Sequence, residues 1–197
     1  MKASFGSRLA AYIIDFFILT ILVSVICSAL PVKNNDINKE ITEIANKMIN
    51  NEITPEEYYK EYKTLLYTNE KEGLVETGIS LLLTFGYFIV FQYMNNGQTL
   101  GKKLLKIKVV DNETKKPTTI IRGLLRSIFI FNILSSSYSI LLIKILSKNT
   151  FITGHMILTD VESIVALICI IFVLYRKDGR GLHDLVANTI VVKEEGE

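Results

Sequence analysis

Cysteine is nearly absent: Cys27 and Cys169 are the only two in 197 residues, and both lie inside apolar runs. That excludes a disulfide framework and a cysteine-based metal site, and it makes each thiol a small buried hydrophobe. A surplus of one charge is lacking too. The net charge of +2 is too small to suggest nucleic acid or a generally basic surface. Nowhere do a nucleophile, a base and an orienting group converge, so no enzyme activity is expected, nor a metal, nor any other cofactor.

What the chain does have is segregation. Apolar residues gather into runs of membrane-spanning length and the charges collect between them, which is the pattern a bilayer imposes. About 20 helical residues cross a hydrocarbon core of about 30 Å. Four runs reach or approach that length, at residues 9–30, 74–94, 128–146 and 157–175. The first competes with a signal peptide, because Lys2 and Arg8 form a charged start and Cys27, Ser28 and Ala29 are small. Its length and the internal Asp15 argue for a span. The third and fourth are interrupted by polar residues, and a re-entrant pair is the alternative there.

Lys and Arg set the orientation. With the N-terminus inside, fourteen of them fall on the cytoplasmic side and eight on the other. The expected fold is therefore an all-α, multi-pass membrane protein, one domain over residues 1–197, with four transmembrane helices and both termini inside. Residues 32–73 form an exterior insertion. Ile37, Ile41, Ile44 and Met48 recur there at helical spacing, and Thr54-Pro55-Glu56-Glu57 is a capping-box start, so an extracellular helical hairpin is expected. Residues 95–127 form a basic cytoplasmic segment, and 176–197 a cytoplasmic tail. Each carries a strand-like stretch, at 106–110 and 189–193, and these are expected to pair as a small two-stranded β element.

Several residues invite a functional reading. Asp15 is a carboxylate inside a span, which is unfavourable unless it meets protein, a partner charge or water. Arg126, at the cytoplasmic end of the third run, is its expected partner, with Arg8 left to lipid phosphates. Asp15 reads either as a static anchor or as a proton or cation site. Asn132, Ser135, Ser136 and Ser139 form a polar stripe, either a hydrophilic path or interhelical hydrogen-bonding glue. Asn96-Gly97-Gln98-Thr99-Leu100-Gly101-Lys102-Lys103 lacks nucleotide-loop spacing, since three residues instead of four separate Gly97 from Gly101. It reads as an interfacial turn whose Lys102, Lys103, Lys106 and Lys108 meet anionic headgroups. His183 and Asp184 are adjacent, and without a nucleophile they read as a turn in which Asp184 caps a short helix. His155, in a short exterior loop, receives no role.

Together SRLAAYIIDFF, NNGQTLGKKLLKIKVVD, RGLLR and GRGLHDLVANTIVV resemble the RDD family of small bacterial membrane proteins, named for one arginine and two aspartates. The resemblance implies that Arg8 and Asp15 are the arginine and first aspartate, with Asp184, or alternatively Asp111, as the second. It implies that Gly97, Thr99, Gly101 and Lys102 form the family's re-entrant motif. The insertion at 32–73 departs from the pattern. On function it implies transport of small ligands or ions, with a non-catalytic accessory subunit of a membrane complex as the alternative. The expected partners are the bilayer, its anionic headgroups at the cytoplasmic face, and a second copy or another membrane protein, with no nucleic acid.

Overall fold

The computed structural model describes residues 1–30, 36–128 and 130–194. Residues 31–35 at the start of the insertion, Phe129 of the third run and residues 195–197 of the tail lie outside the described residues.

Helix α1, Phe5–Cys27, starts four residues before its apolar run because the Ser4 side chain accepts from Ser7 N at 3.1 Å. Its 23 residues rise about 35 Å, enough to cross a bilayer core. Helices α2, Ile37–Ile49, and α3, Pro55–Glu72, form the expected hairpin. Asp36 caps the first. Thr54 and Glu57 form a reciprocal capping box on the second, with Pro55 in its first turn.

The second long apolar element, Leu74–Met94, is α4 (Leu74–Phe85), a π-helical segment (Gly86–Phe91) and α5 (Gln92–Met94). The wider π turn shifts the phase of the side chains that follow. Phe88, Ile89 and Gln92 are buried in this stretch.

After the short α6, Leu100–Leu104, the third run departs from expectation. Instead of one helix over 128–146 there are two, α7 (Ile120–Ile128) and α8 (Ile133–Leu142), bent by 86°. The break falls where Asn132 adopts a left-handed conformation, φ 51°, which ends one helix and starts another at low cost for asparagine. Nine and ten residues rise about 14–15 Å each, too little to cross alone. Helix α9, Lys148–Tyr175, starts nine residues earlier than expected because Ser147 caps it, so His155 lies on a helix and not in a loop. Among the described residues there are thus three helices long and apolar enough to cross a membrane, or four if the bent pair is one span.

Helix α10, Leu182–Val186, leads into β2, Thr189–Lys193. This strand pairs antiparallel with β1, Ile107–Asp111, placing Val109 opposite Val191. β1 begins one residue late because Lys106 turns through φ 53°. The N-terminus extends the sheet, with Ala3 N donating to Val191 O at 3.0 Å and Lys193 N to Met1 O at 2.8 Å. Ala3, Ala11, Ile107, Val109 and Val191 form one core, and this ties the sheet to the start of α1.

Candidate functional site

Two buried carboxylates organise the end of the bundle that carries the sheet. Asp15, on α1, has no exposed surface. Its Oδ1 accepts from Tyr87 Oη at 2.6 Å and Gly101 N at 2.7 Å, and its Oδ2 from Thr99 Oγ1 at 2.5 Å. Lys102 Nζ stands 3.9 Å from Oδ2 and donates to Thr99 Oγ1 at 3.1 Å. Such directed donors make a buried carboxylate tolerable. They also explain the glycine at 101, since a Cβ there would run into Ala11 O and stand 2.8 Å from Asp15 Oδ1. Gly97 carries φ 87°, donates to Gln92 O at 2.8 Å and accepts from Val109 N at 2.9 Å; a Cβ there would strike the Val109 backbone. The Gly-Lys stretch is therefore a turn and helix folded against α1.

Asp184, on α10, is equally buried. Arg126 NH1 lies 3.1 Å from its Oδ1, and Thr189 Oγ1 donates to that oxygen at 3.0 Å. Its Oδ2 accepts from Gly181 N at 3.3 Å and from Arg8 NH1 at 3.4 Å, with His183 Nε2 also 3.4 Å away. Arg8 further donates to Gly179 O at 2.6 Å and Val191 O at 3.1 Å. The expected pairing is thus exchanged. Arg126 meets Asp184 and not Asp15, and Arg8 is turned into the protein and away from headgroups. Asp111, the other candidate for the second aspartate, sits elsewhere: its Oδ1 closes a turn on Glu113 N and Thr114 N, and it pairs with Arg122.

Burial sets the protonation of the groups outside the spans. Lys102 is pushed down to about 7 by desolvation, with Arg126 adding to the effect and the carboxylates opposing it. His183 is pushed down to about 4, again chiefly by burial. For Asp184 burial acts upward, but Arg126, foremost among the nearby cations, holds it below its ordinary value.

Between the two clusters lies a cavity of about 250 Å³, whose lining includes Asp15, Lys102, Arg8, Arg126 and His183. Aromatic and aliphatic walls from α1, the π segment, the α7–α8 break and α9 complete it. Among the described residues no group of three His, Cys, Asp or Glu converges as a metal site.

The polar stripe divides. Ser135 and Ser139 are buried, Ser136 is half-buried and Asn132 is exposed. Two carboxylates that sequence reasoning misses hold the buried part. Glu162 Oε1 accepts from Leu134 N at 3.0 Å and Ser135 N at 3.4 Å, which caps α8. Glu70 Oε2 accepts from Ser139 Oγ at 2.8 Å and lies 3.5 Å from His155 Nε2. Glu162 carries the same signal as Asp15, a carboxylate in an apolar helix, but it stands near the expected start of its span, where a carboxylate is ordinary. Tyr87 is missed as well, because one hydroxyl within an apolar run carries no signal.

The profile of the RDD family matches residues 2–188, nearly the whole chain. No curated protein and no solved structure matches significantly.

Proposed function

Because the chain belongs to the RDD family and two charged clusters enclose a cavity in its bundle, we propose that it is a transport-related membrane protein. The cavity is the binding station for a small ligand or ion. One observation carries this reading: a cavity of about 250 Å³ bounded by Asp15, Lys102, Arg8, Arg126 and His183. A carboxylate within a span, such as Asp15, is unfavourable unless it faces protein or a polar path. Ala166 lines the cavity, and Glu162 lies one helical turn away on α9. From Glu162 the buried polar groups continue through Ser135 and Ser139 to Glu70 and His155, so polar chemistry runs from the sheet end toward the hairpin.

In this reading the bent α7–α8 pair is the third of four crossings. The sheet and both termini face the cytoplasm of a bacterial cell, as the Lys and Arg distribution favours. Lys103 and Lys106, both exposed, meet anionic headgroups there. Asp15 holds α6 and Lys102 in place, while the cavity receives the ligand. A pathway built from so few helices is completed by a second copy.

The test is flux across proteoliposomes containing the purified chain, for Na⁺, K⁺, H⁺ and organic anions, beside an Ala166→Phe variant that fills the cavity. Flux that the variant abolishes is the expected result. No flux of any solute, or flux indifferent to the filling, ends the reading.

The saturated hydrogen bonding of Asp15 favours a second reading, a non-catalytic accessory subunit whose hairpin or basic face binds a membrane complex. Crosslinking in native membranes that returns only self-contacts and lipid would count against it.

A further inference from the structure

The groups around the cavity do not balance in charge. Below about pH 7, where Lys102 is protonated, Arg8, Lys102 and Arg126 supply three cations and Asp15 and Asp184 two anions. Asp178, near Arg8, is already paired with Arg176. His183 is neutral near pH 7. A surplus positive charge inside a low-dielectric bundle is unfavourable without a counter-ion.

The guanidinium geometry gives an independent observation. Arg8 Nε and Arg126 NH1 are buried, and neither directs a hydrogen at an acceptor among the described residues. Arg126 NH1 is close to Asp184 Oδ1, at 3.1 Å, but that contact is one of charge and not a hydrogen bond. Both residues line the cavity, though Arg8 Nε and Arg126 NH1 themselves expose almost no surface to it. A buried donor without an acceptor is unfavourable, and an anion that drew either guanidinium toward the cavity would relieve it.

Apart from Gln92 and Ser127 the rest of the wall is mostly apolar, with Leu9, Phe88, Phe131, Ile170 and Val173 among the lining residues. An apolar cavity of about 150 Å³ holds benzene. At about 250 Å³ this one has room for an ionic head and several carbons.

We infer that the cavity takes an anionic amphiphile, a phosphate monoester or carboxylate head held by Arg8 and Arg126 with its apolar chain lying along Phe88, Phe131 and Ile170. The inference rests on the reading of the cavity as the ligand station and names the ligand class. Guanidinium N–H groups match the oxygens of such heads. A metal cation would meet a surplus of its own sign, and a neutral molecule would leave that surplus unbalanced. The head can come from a membrane lipid or from a soluble single-chain amphiphile.

Lys102 makes binding depend on pH. Its amine faces Asp15 and Thr99 from α1 and the turn before α6, Phe88 from the π segment, Arg126 from α7 and Asp184 from α10. With the amine at about 7, the surplus charge is present below that pH and lost above it, so anions bind more tightly at pH 6 than at pH 8.

The experiment is equilibrium binding of radiolabelled decyl phosphate to the full chain in phosphatidylcholine nanodiscs, with empty discs as background. Competitors are inorganic phosphate, decanoate, decyl sulfate, decyltrimethylammonium and phosphatidic acid placed in the disc. Decyl phosphate is expected to bind about tenfold or more above inorganic phosphate, as loss of the apolar contacts requires. Decyl sulfate, whose charge does not change between pH 6 and pH 8, should compete about tenfold less well at pH 8 than at pH 6. Arg126→Gln should lose most binding and Ala166→Phe all of it, while Lys102→Met should bind at the weaker pH 8 level at every pH and so lose the pH dependence. The last two keep the test valid if Arg126→Gln does not fold. Strongest competition by phosphatidic acid assigns the site to lipid, and by decanoate or unlabelled decyl phosphate to a soluble amphiphile. If decyltrimethylammonium binds in an Ala166-dependent way and the anions do not, the anionic class falls while the cavity remains a ligand site. If no probe depends on Ala166, both readings fall.

Discussion

Asp15 and Asp184 are both fully buried, yet they are held by different chemistry. Asp15 accepts from a tyrosine, a threonine and a backbone amide, and its one nearby cation stands 3.9 Å away. Asp184 has guanidinium nitrogens at 3.1 Å and 3.4 Å and fewer neutral donors. The first carboxylate fixes geometry through directed hydrogen bonds, pinning α6 and its lysine against α1. The second neutralises charge, allowing two arginines to stand inside the bundle. That difference predicts which one the fold misses more.

Asp184→Asn should have the largest effect. The amide keeps the shape but leaves Arg8 and Arg126 buried without a counter-charge, and removing one member of a buried pair costs about 3–5 kcal/mol. Thermal unfolding in a neutral detergent should show it, and adding Arg126→Met should restore part of the loss. Equal losses in the single and double variants would show that the charges do not couple.

Asp15→Asn should cost less, about 1–3 kcal/mol, because one side of the amide then presents N–H groups to donors that need an acceptor. Its distinguishing sign is local. Amide exchange of residues 99–104 should rise while that of the β1–β2 pair stays protected. If Asp15→Asn proves the more damaging of the two, the contrast between the carboxylates is reversed.

Gly101→Ala probes the same anchor by shape. The added methyl meets Ala11 O and Asp15 Oδ1, and overpacking of this kind costs about 1–3 kcal/mol. The expected outcome is a lower melting temperature together with the exchange pattern of Asp15→Asn. An unchanged melting temperature would mean that α6 is free to shift away from α1.

Part of this architecture is legible in the amino-acid sequence, and the reasons are particular. The Val-rich stretches that form β1 and β2 stand on the same side of the spans, and neither can satisfy its backbone alone. Asp15 declares itself because a carboxylate in an apolar run needs an explanation. Its partner does not, because only the turn through Asn96, Gly97 and Lys106, all at positive φ, folds Thr99 and Gly101 back onto α1 and leaves Arg126 for Asp184. Helices start earlier than hydropathy suggests where the caps, Ser4 and Ser147, lie outside the apolar runs. The break at Asn132 is invisible to hydropathy, which sees composition and not a single left-handed residue. Glu70 sits in a polar segment where one more carboxylate carries no signal, and only the packing of α8 brings Ser139 to it.

Stability against pH separates the two carboxylates last and most gently. His183 is pushed down to about 4 by burial, below its ordinary value of about 6.5. The folded state holds the ring neutral, so its contribution is present above the ordinary value and is lost as pH falls toward 4. Asp184, also held below its ordinary value, adds a loss at still lower pH. On the Asp15 side the sign concerns the alkaline range. Lys102, pushed down to about 7 from 10.5, binds its proton less well folded than unfolded. The unfolded chain therefore carries more protons between those values, and stability rises with pH there. Melting curves from pH 4 to pH 10 should show an acid limb that His183→Gln weakens and an alkaline rise that Lys102→Met flattens, each leaving the other intact. If Lys102→Met also weakens the acid limb, the two clusters titrate as one, and the cavity between them does not insulate one charge from the other.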